Sequence, residues 1–251
     1  MIRGSFALAA VVAALVLVGC GNGDDEGVTT DTETTTTPVE TTRLRVYFLR
    51  DGQVWPVARV VGDILFDEIA IDELLDGPNE DEGDLGLETA LPENLESADV
   101  SVEGGVATVE LDGAADLSRE ALAQIVYSET ALPGVEVVSV DGESYTRADF
   151  EEQTPSVLVE SPLPFEEVAS PLRAEGTANT FEATFQYELV DADGNVVDEN
   201  FVTATSGTGT RGTFEFTTGA FEEVAALRVF EISAENGSRM NEVEIPLTLA
   251  P

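Results

Sequence analysis

The residues best placed to do chemistry lie in "DADGNVVDEN". There Asp191, Asp193, Asn195 and Asp198 set four oxygen-bearing side chains around a glycine. Calcium favours oxygen-rich loops of this kind. The spacing is not that of an EF-hand, because Gly194 comes too early and Val202 stands where the twelfth-position Glu is needed. Asp-Gly between two apolar alternations also reads as a hairpin turn, which is the simpler account. Paired carboxylates are the other chemistry on offer, since a glycosidase needs two of them roughly 5–10 Å apart. With 50 Asp and Glu residues, sequence spacing selects no particular pair.

Other catalytic sets are excluded by residue type. The chain has no His, so neither a Ser-His-Asp nor a Cys-His arrangement can form within it. Ser128 therefore has no imidazole to activate it. All 11 basic residues are Arg, so Ser-Lys chemistry is excluded too. The single Cys rules out an internal disulfide and a Cys/His zinc set. No cofactor and no catalytic residue is expected. A formal net charge of −39 repels nucleic acid and anionic headgroups, so nucleic acid is not an expected partner. Hydrophobic residues at 43% still supply folded cores. Trp55 and Phe165, both near prolines, are candidate anchors for a protein partner. "NGS" (236–238) matches a glycosylation acceptor and also reads as a tight turn.

The lone cysteine has an informative position. Arg3 precedes the apolar run "FALAAVVAALVLV" (6–18), which is shorter than the ~20 residues that span a bilayer comfortably. Residues 1–19 read as an export signal. "LVGC" (Leu17, Val18, Gly19, Cys20) resembles the lipobox of bacterial lipoproteins. That resemblance implies a diacylglycerol thioether on Cys20, which would become the first mature residue. Each buried methylene contributes about 0.8 kcal/mol, so acyl chains can hold an acidic body that the surface itself repels. Loss of residues 1–19 removes Arg3 and no acid, giving −39 − 1 = −40. "GNGDDEGVTTDTETTTTPVETT" (21–42) has little to bury and reads as a solvated, disordered tether with a reach of roughly 25 Å. Residues 20–42 thus form the anchor and linker, and the expected location is the extracytoplasmic face of the cell membrane.

The elements that follow fall into two groups. In the first, residues 43–148, Leu44, Val46 and Phe48 alternate with Arg45, Tyr47 and Leu49, and "RDGQ" turns into a second strand. A helix presenting Ile71, Leu74 and Leu75 should end at Gly77-Pro78, before an acidic, solvated loop at 76–86. A hairpin turns at Gly104-Gly105, a helix capped by Ser118 follows, and "GVEVVSVDGE" returns as a strand. The order β-β-α-β-β-α-β predicts a small α+β sandwich. "LLDGPNEDEGDLGLETALP", "VSVEGGVATVELD" and "QIVYSETALPGVEVVSVDGE" resemble the GerMN (sporulation and spore germination) domain over about 44–146. That resemblance implies an envelope protein and brings no catalytic residues.

Polar "DFEEQTPS" marks the boundary, with 149–155 as linker. In residues 156–251 the period is two almost throughout. Phe181, Ala183, Phe185, Tyr187 and Leu189 share one face, Phe214 and Phe216 another, and Val243, Ile245, Leu247 and Leu249 a third. About seven strands predict a β-sandwich. "VLVESPLPFEEVASPLRAEGTANTFEATFQYELVDADGNVV" and "LRVFEISAENGSRMNEVEIPLTL" resemble the immunoglobulin-like domain of bacterial spore germination proteins. The resemblance implies a binding or spacing module. The fold expected is therefore α+β followed by all-β. The function expected is a non-catalytic, membrane-anchored envelope lipoprotein whose two domains make protein–protein contacts or support assembly. The alternative is a module that binds cell-wall glycan or a small ligand. Expected partners are the membrane, through lipid on Cys20, and an envelope protein; self-association is a further option.

Overall fold

The computed structural model describes residues 42–61, 66–95, 97–112 and 116–250, all of which fall in one unit of mutual contact. Residues 1–19, read above as an export signal, Cys20, and nearly all of the stretch read as a tether lie outside these residues.

The chain begins with a hairpin, β1 (Thr42–Arg50) and β2 (Gln53–Val61), joined by Asp51 and Gly52. Both turn residues have positive φ, 52° and 75°, the twist a two-residue hairpin requires. The expected alternation is overridden in β1: Val46, Tyr47, Phe48 and Leu49 are all buried. One reason is that the outer edge of β1 is covered by a helix, α3 (Arg119–Glu129). Ser128 Oγ accepts from Tyr47 N–H at 2.9 Å, and Gln124 Nε2 donates to the Tyr47 carbonyl at 3.3 Å. Two buried side chains thus take the place of a neighbouring strand, which removes an exposed sheet edge. Ser128 serves the backbone.

α1 (Phe66–Asp76) buries Ala70, Ile71 and Leu74 and ends at Gly77, whose φ is 78°. The acidic stretch after it, expected as solvated loop, contains a second helix, α2 (Glu80–Asp84). Asn79 and Glu82 form a reciprocal capping box, with Oδ1 of Asn79 accepting from Glu82 N–H at 3.0 Å and Glu82 Oε2 accepting from Asn79 N–H at 2.9 Å. Glu82 is buried because Arg59 reaches it from β2, with Nη2 2.8 Å from Oε2. β3 (Ser97–Glu103) and β4 (Val106–Asp112) make the expected Gly104-Gly105 hairpin. β5 (Val137–Val140) then pairs parallel with β4 through the α3 crossover, and an unanticipated β6 (Glu143–Tyr145) extends the sheet. The order is β3-β4-β5-β6.

The polar boundary is a packed joint. Arg147–Gln153 form 3₁₀ turns in which Phe150 is wholly buried, and Thr154 after them is buried too. The second module pairs β7 (Val157–Ser161), β9 (Arg173–Ala178) and β12 (Gly212–Thr217) in the order β12-β9-β7. The other sheet runs β11-β10-β13-β14-β8, from β8 (Glu166–Val168), β10 (Thr184–Val190), β11 (Val196–Thr203), β13 (Ala226–Ile232) and β14 (Arg239–Leu249). This is a sandwich of eight strands; the short β8, parallel to β14, is the one that alternation did not single out. Phe185 meets Phe214 edge-on at 4.8 Å and Tyr187 stacks on Phe216 at 4.5 Å, filling the core where no disulfide could. Phe181 departs from expectation: it sits in a 3₁₀ turn, 63% exposed, and the strand starts at Thr184.

Candidate functional site

A dense polar cluster joins the two modules. β1 supplies Arg45 and Tyr47, α3 supplies Tyr127, the 3₁₀ turns supply Arg147 and Glu151, and β7 supplies Glu160. Glu160 is the centre. Tyr47 OH donates to its Oε1, as do Arg147 Nη1 at 2.8 Å and Arg45 Nη1 at 3.1 Å. Arg147 also donates from Nε to Thr130 Oγ1 at 2.6 Å and from Nη2 to the Tyr127 carbonyl at 3.2 Å. Its guanidinium lies over the rings of Tyr127 (4.7 Å) and Tyr47 (5.3 Å). Burial alone would raise the Glu160 carboxyl, but Arg147, the Tyr47 phenol and Arg45 outweigh it and hold the group below the usual carboxylate range. The same burial, with the Glu160 charge, pushes the Tyr47 phenol up.

A second set lies alongside. Glu151 takes a two-pronged pair from Arg211, Nε at 3.0 Å and Nη2 at 2.9 Å, and accepts from Asn179 Nδ2 at 2.8 Å. Arg211 Nη2 also donates to the Pro155 carbonyl at 2.9 Å. Tyr127 OH is 2.6 Å from Thr154 Oγ1, which itself donates to the Phe150 carbonyl at 2.8 Å, so the phenol is the donor. Arg43 Nη1 adds a pair to Glu166 at 2.9 Å. Apolar contact completes the joint, where Trp55 and Pro56 meet Val157, Val243 and Ile245 around a void of about 10 Å³.

Chemically this cluster is built to hold. Glu160 is kept ionised, its phenol neighbour is kept protonated, and guanidinium groups only donate. A groove of about 410 Å³ opens between Tyr127, Arg147, Glu151, Thr177 and Arg211. A cleft of about 470 Å³ is lined by Arg45, by the acids Glu160, Glu175 and Glu215, and by threonines that include Thr203, Thr205 and Thr213. Sequence reasoning singled out none of Arg45, Tyr47, Arg147, Glu151, Glu160 or Arg211 as a site. The available signal was Arg45 and Tyr47 on the polar side of an otherwise apolar strand.

The residues singled out from sequence are placed as follows. Asp191 closes its own turn, with Oδ1 accepting from Asp193 N–H (2.9 Å) and Asn195 N–H (2.8 Å), and Oδ2 from Asn195 Nδ2 (2.9 Å). Those bonds, the Asn195 side chain first, hold its carboxyl low. Asp198 is not gathered with them: it sits in β11, accepting from Tyr187 OH at 2.7 Å and Gly219 N–H at 2.9 Å. Among the described residues no group of three or more His, Cys, Asp or Glu is placed to hold a metal ion. Asn236 likewise closes a turn, accepting from Ser238 N–H at 2.9 Å. Trp55 is buried in the joint beneath Arg50 (4.8 Å), whereas Phe165 is 48% exposed. Cys20 is outside the described residues, and among those residues no helix is long and apolar enough to cross a membrane.

An α+β module welded to an eight-stranded sandwich defines the class, and two family models match the chain in the same order. Residues 45–146 match the family model described as "Sporulation and spore germination", and residues 156–238 match "Immunoglobulin-like domain of bacterial spore germination". Among solved structures, the tandem GerMN domains of the sporulation protein GerM from Bacillus subtilis are similar at 28% identity, over 43% of this chain and 42% of that one, with a TM-score of 0.33. The chain therefore spans about two fifths of that relative's length. No curated protein matches.

Proposed function

We propose that this protein is a non-catalytic lipoprotein of the cell envelope that places two joined modules at the extracytoplasmic face of the membrane for contacts with other envelope proteins. Residues 43–148 and 156–251 are the modules, and 149–155 the joint between them. The observation that carries this reading is the Glu160 cluster: acid, phenol and guanidinium groups that could do chemistry are spent on one another, which favours a rigid presenter over an enzyme. The sporulation and germination families of both modules support it. So does "LVGC" before an acidic, Thr-rich tether, which suits an anchor on Cys20.

Membrane fractionation with intact-mass analysis tests the anchor. Wild type should sediment with membranes and carry acyl mass on Cys20, and Cys20→Ser should be released. A membrane-bound, acylated Cys20→Ser protein contradicts the anchor. A second reading, glycan or small-ligand binding, is favoured by the cleft of about 470 Å³, whose lining mixes hydroxyls (Thr203, Thr205, Thr213), acids (Glu160, Glu175, Glu215) and the ring of Phe214. Pull-down of wall glycan by the full chain, lost on Thr213→Val, would move the reading there.

A further inference from the structure

The joint between the modules also forms the wall of a furrow. Three cavities of about 190, 470 and 410 Å³ follow one another along it. The first two share Arg45, Glu160 and Glu175, and the second and third share Thr177, so they make one continuous depression. Its floor is the outer face of the β12-β9-β7 sheet. In β9, Ala174, Gly176 and Ala178 are buried in the sandwich, which puts Glu175 and Thr177 on the other face. Thr213 and Glu215 stand beside them in register on β12.

The charge of this furrow is unlike that of the chain, in which 50 acids face 11 arginines. Among the described residues five acids line it, and each has an arginine. Arg43 pairs with Glu166 at 2.9 Å, and Arg45 and Arg147 with Glu160 at 3.1 and 2.8 Å. Arg211 pairs with Glu151 at 2.9 Å. Arg173, two residues before Glu175, holds that acid at 3.6 Å and Glu215 at 2.5 Å. Five acids thus meet five arginines, and the site has no net charge with which to draw in an ion of either sign.

An apolar guest is no better matched. Leu44, Leu163, Phe214 and Tyr127 reach the furrow as buried side chains, none more than 6% exposed. Between the ion pairs, what meets solvent is the hydroxyls of Thr203, Thr205, Thr210 and Thr213. The cores of protein interfaces are apolar and poor in charge, and most small-molecule pockets are apolar as well. Here hydroxyls donate and accept, carboxylates accept and guanidinium groups donate. The guest that fits is uncharged, covered in hydroxyls and long enough to follow the furrow.

From this we infer that the furrow binds a neutral oligosaccharide, laid over β9 and β12 with Thr177, Thr203 and Thr213 bonding its hydroxyls. The inference deepens the ligand-binding reading given second above and rests on it. An anchored protein could hold glycan at its joint and keep its other surfaces for protein contacts.

The probes are tetramers of β-1,4-linked N-acetylglucosamine and of β-1,4-linked glucose, titrated into the full chain in a detergent without a sugar headgroup. Threonine methyl NMR reports where they bind. At least one neutral tetramer should shift the methyls of Thr177, Thr203 and Thr213, with an affinity constant within two-fold between 50 and 500 mM NaCl. Thr213→Val should weaken binding at least five-fold at an unchanged melting temperature. Thr248→Val, exposed on the other sheet, should leave binding as in wild type.

Charged tetramers of the same length, glucosamine and galacturonic acid, are compared at 500 mM NaCl, where long-range attraction is screened. Each should bind the furrow at least ten-fold more weakly, because its charge would lose water and find every opposite charge already paired. A charged tetramer that binds these threonines better than the neutral ones overturns the inference and leaves the ligand-binding reading standing. Neutral binding that shifts only other methyls, or that Thr213→Val does not weaken, also overturns it. If no tetramer of any charge binds, the inference and the ligand-binding reading both fall, and protein contacts alone remain.

Discussion

The phenol of Tyr47, in the first strand, donates to the carboxylate of Glu160, 113 residues further along the chain. That bond ties the α+β module to the sandwich, and two arginines converge on the same carboxylate. Losing the central carboxylate would cost most, because the guanidinium groups left behind keep their desolvation penalty without a counter-charge.

Glu160→Gln should therefore destabilise the protein by about 3 kcal/mol, leaving Arg147 without its counter-charge. Tyr47→Phe should lose about 1–2 kcal/mol, since the remaining guanidinium groups still satisfy Glu160. Urea melts that follow Trp55 fluorescence in the joint would check both. Equal, negligible effects would mean that the cluster is ornamental.

The same carboxylate sets a pH dependence. Its folded-state value lies below its unfolded one, so the unfolded chain binds the proton first as pH falls. The stabilisation it provides is fully present above the ordinary Glu value of 4.5 and is lost as pH drops through the lower folded value. The urea midpoint should fall across the carboxylate range, roughly from pH 5 to pH 3. In Glu160→Gln that fall should be shallower. Glu151, held low by Arg211 and Asn179 against its burial, contributes with the same sign, reduced by the exposure of its side chain.

Ser128→Ala should cost about 1–3 kcal/mol despite changing one small atom, because the Tyr47 amide would be buried without an acceptor. Hydrogen exchange at Tyr47 would show the loss directly, by rising towards the rate of a frayed strand.

Gly176, at the centre of β9, has no room for a side chain. A Cβ there would lie 2.0 Å from the Leu158 carbonyl oxygen and 2.9 Å from Phe214 Cζ. Backbone cannot move aside as a side-chain tip can, so Gly176→Ala should lower stability by about 3 kcal/mol. A thermal melt near wild type would show that β7 and β9 pack more loosely than these distances require.

Much of the architecture was legible because turn chemistry is local. Asp51-Gly52 and Gly104-Gly105 fix two hairpins, and Ser118 starts α3 by accepting from Ala121 N–H at 3.1 Å. What escaped was decided by distant partners. Glu82 looks like one acid among many until Arg59 arrives from β2, and Leu49 and Tyr47 look half-wet until α3 covers the strand. The joint was hidden for the same reason, since Arg147 and Glu160 lie in segments whose polarity reads as linker and strand surface. The arginines offer a clue in retrospect. All ten beyond Arg3 contact an acid or a ring, in a chain where basic side chains are scarce.

The most direct test of the proposed role is crosslinking of tagged full-length protein in its native host, followed by mass spectrometry of what is captured. The account predicts a reproducible envelope protein that is lost when either module is deleted. Capture of only the chain itself and wall fragments would contradict it.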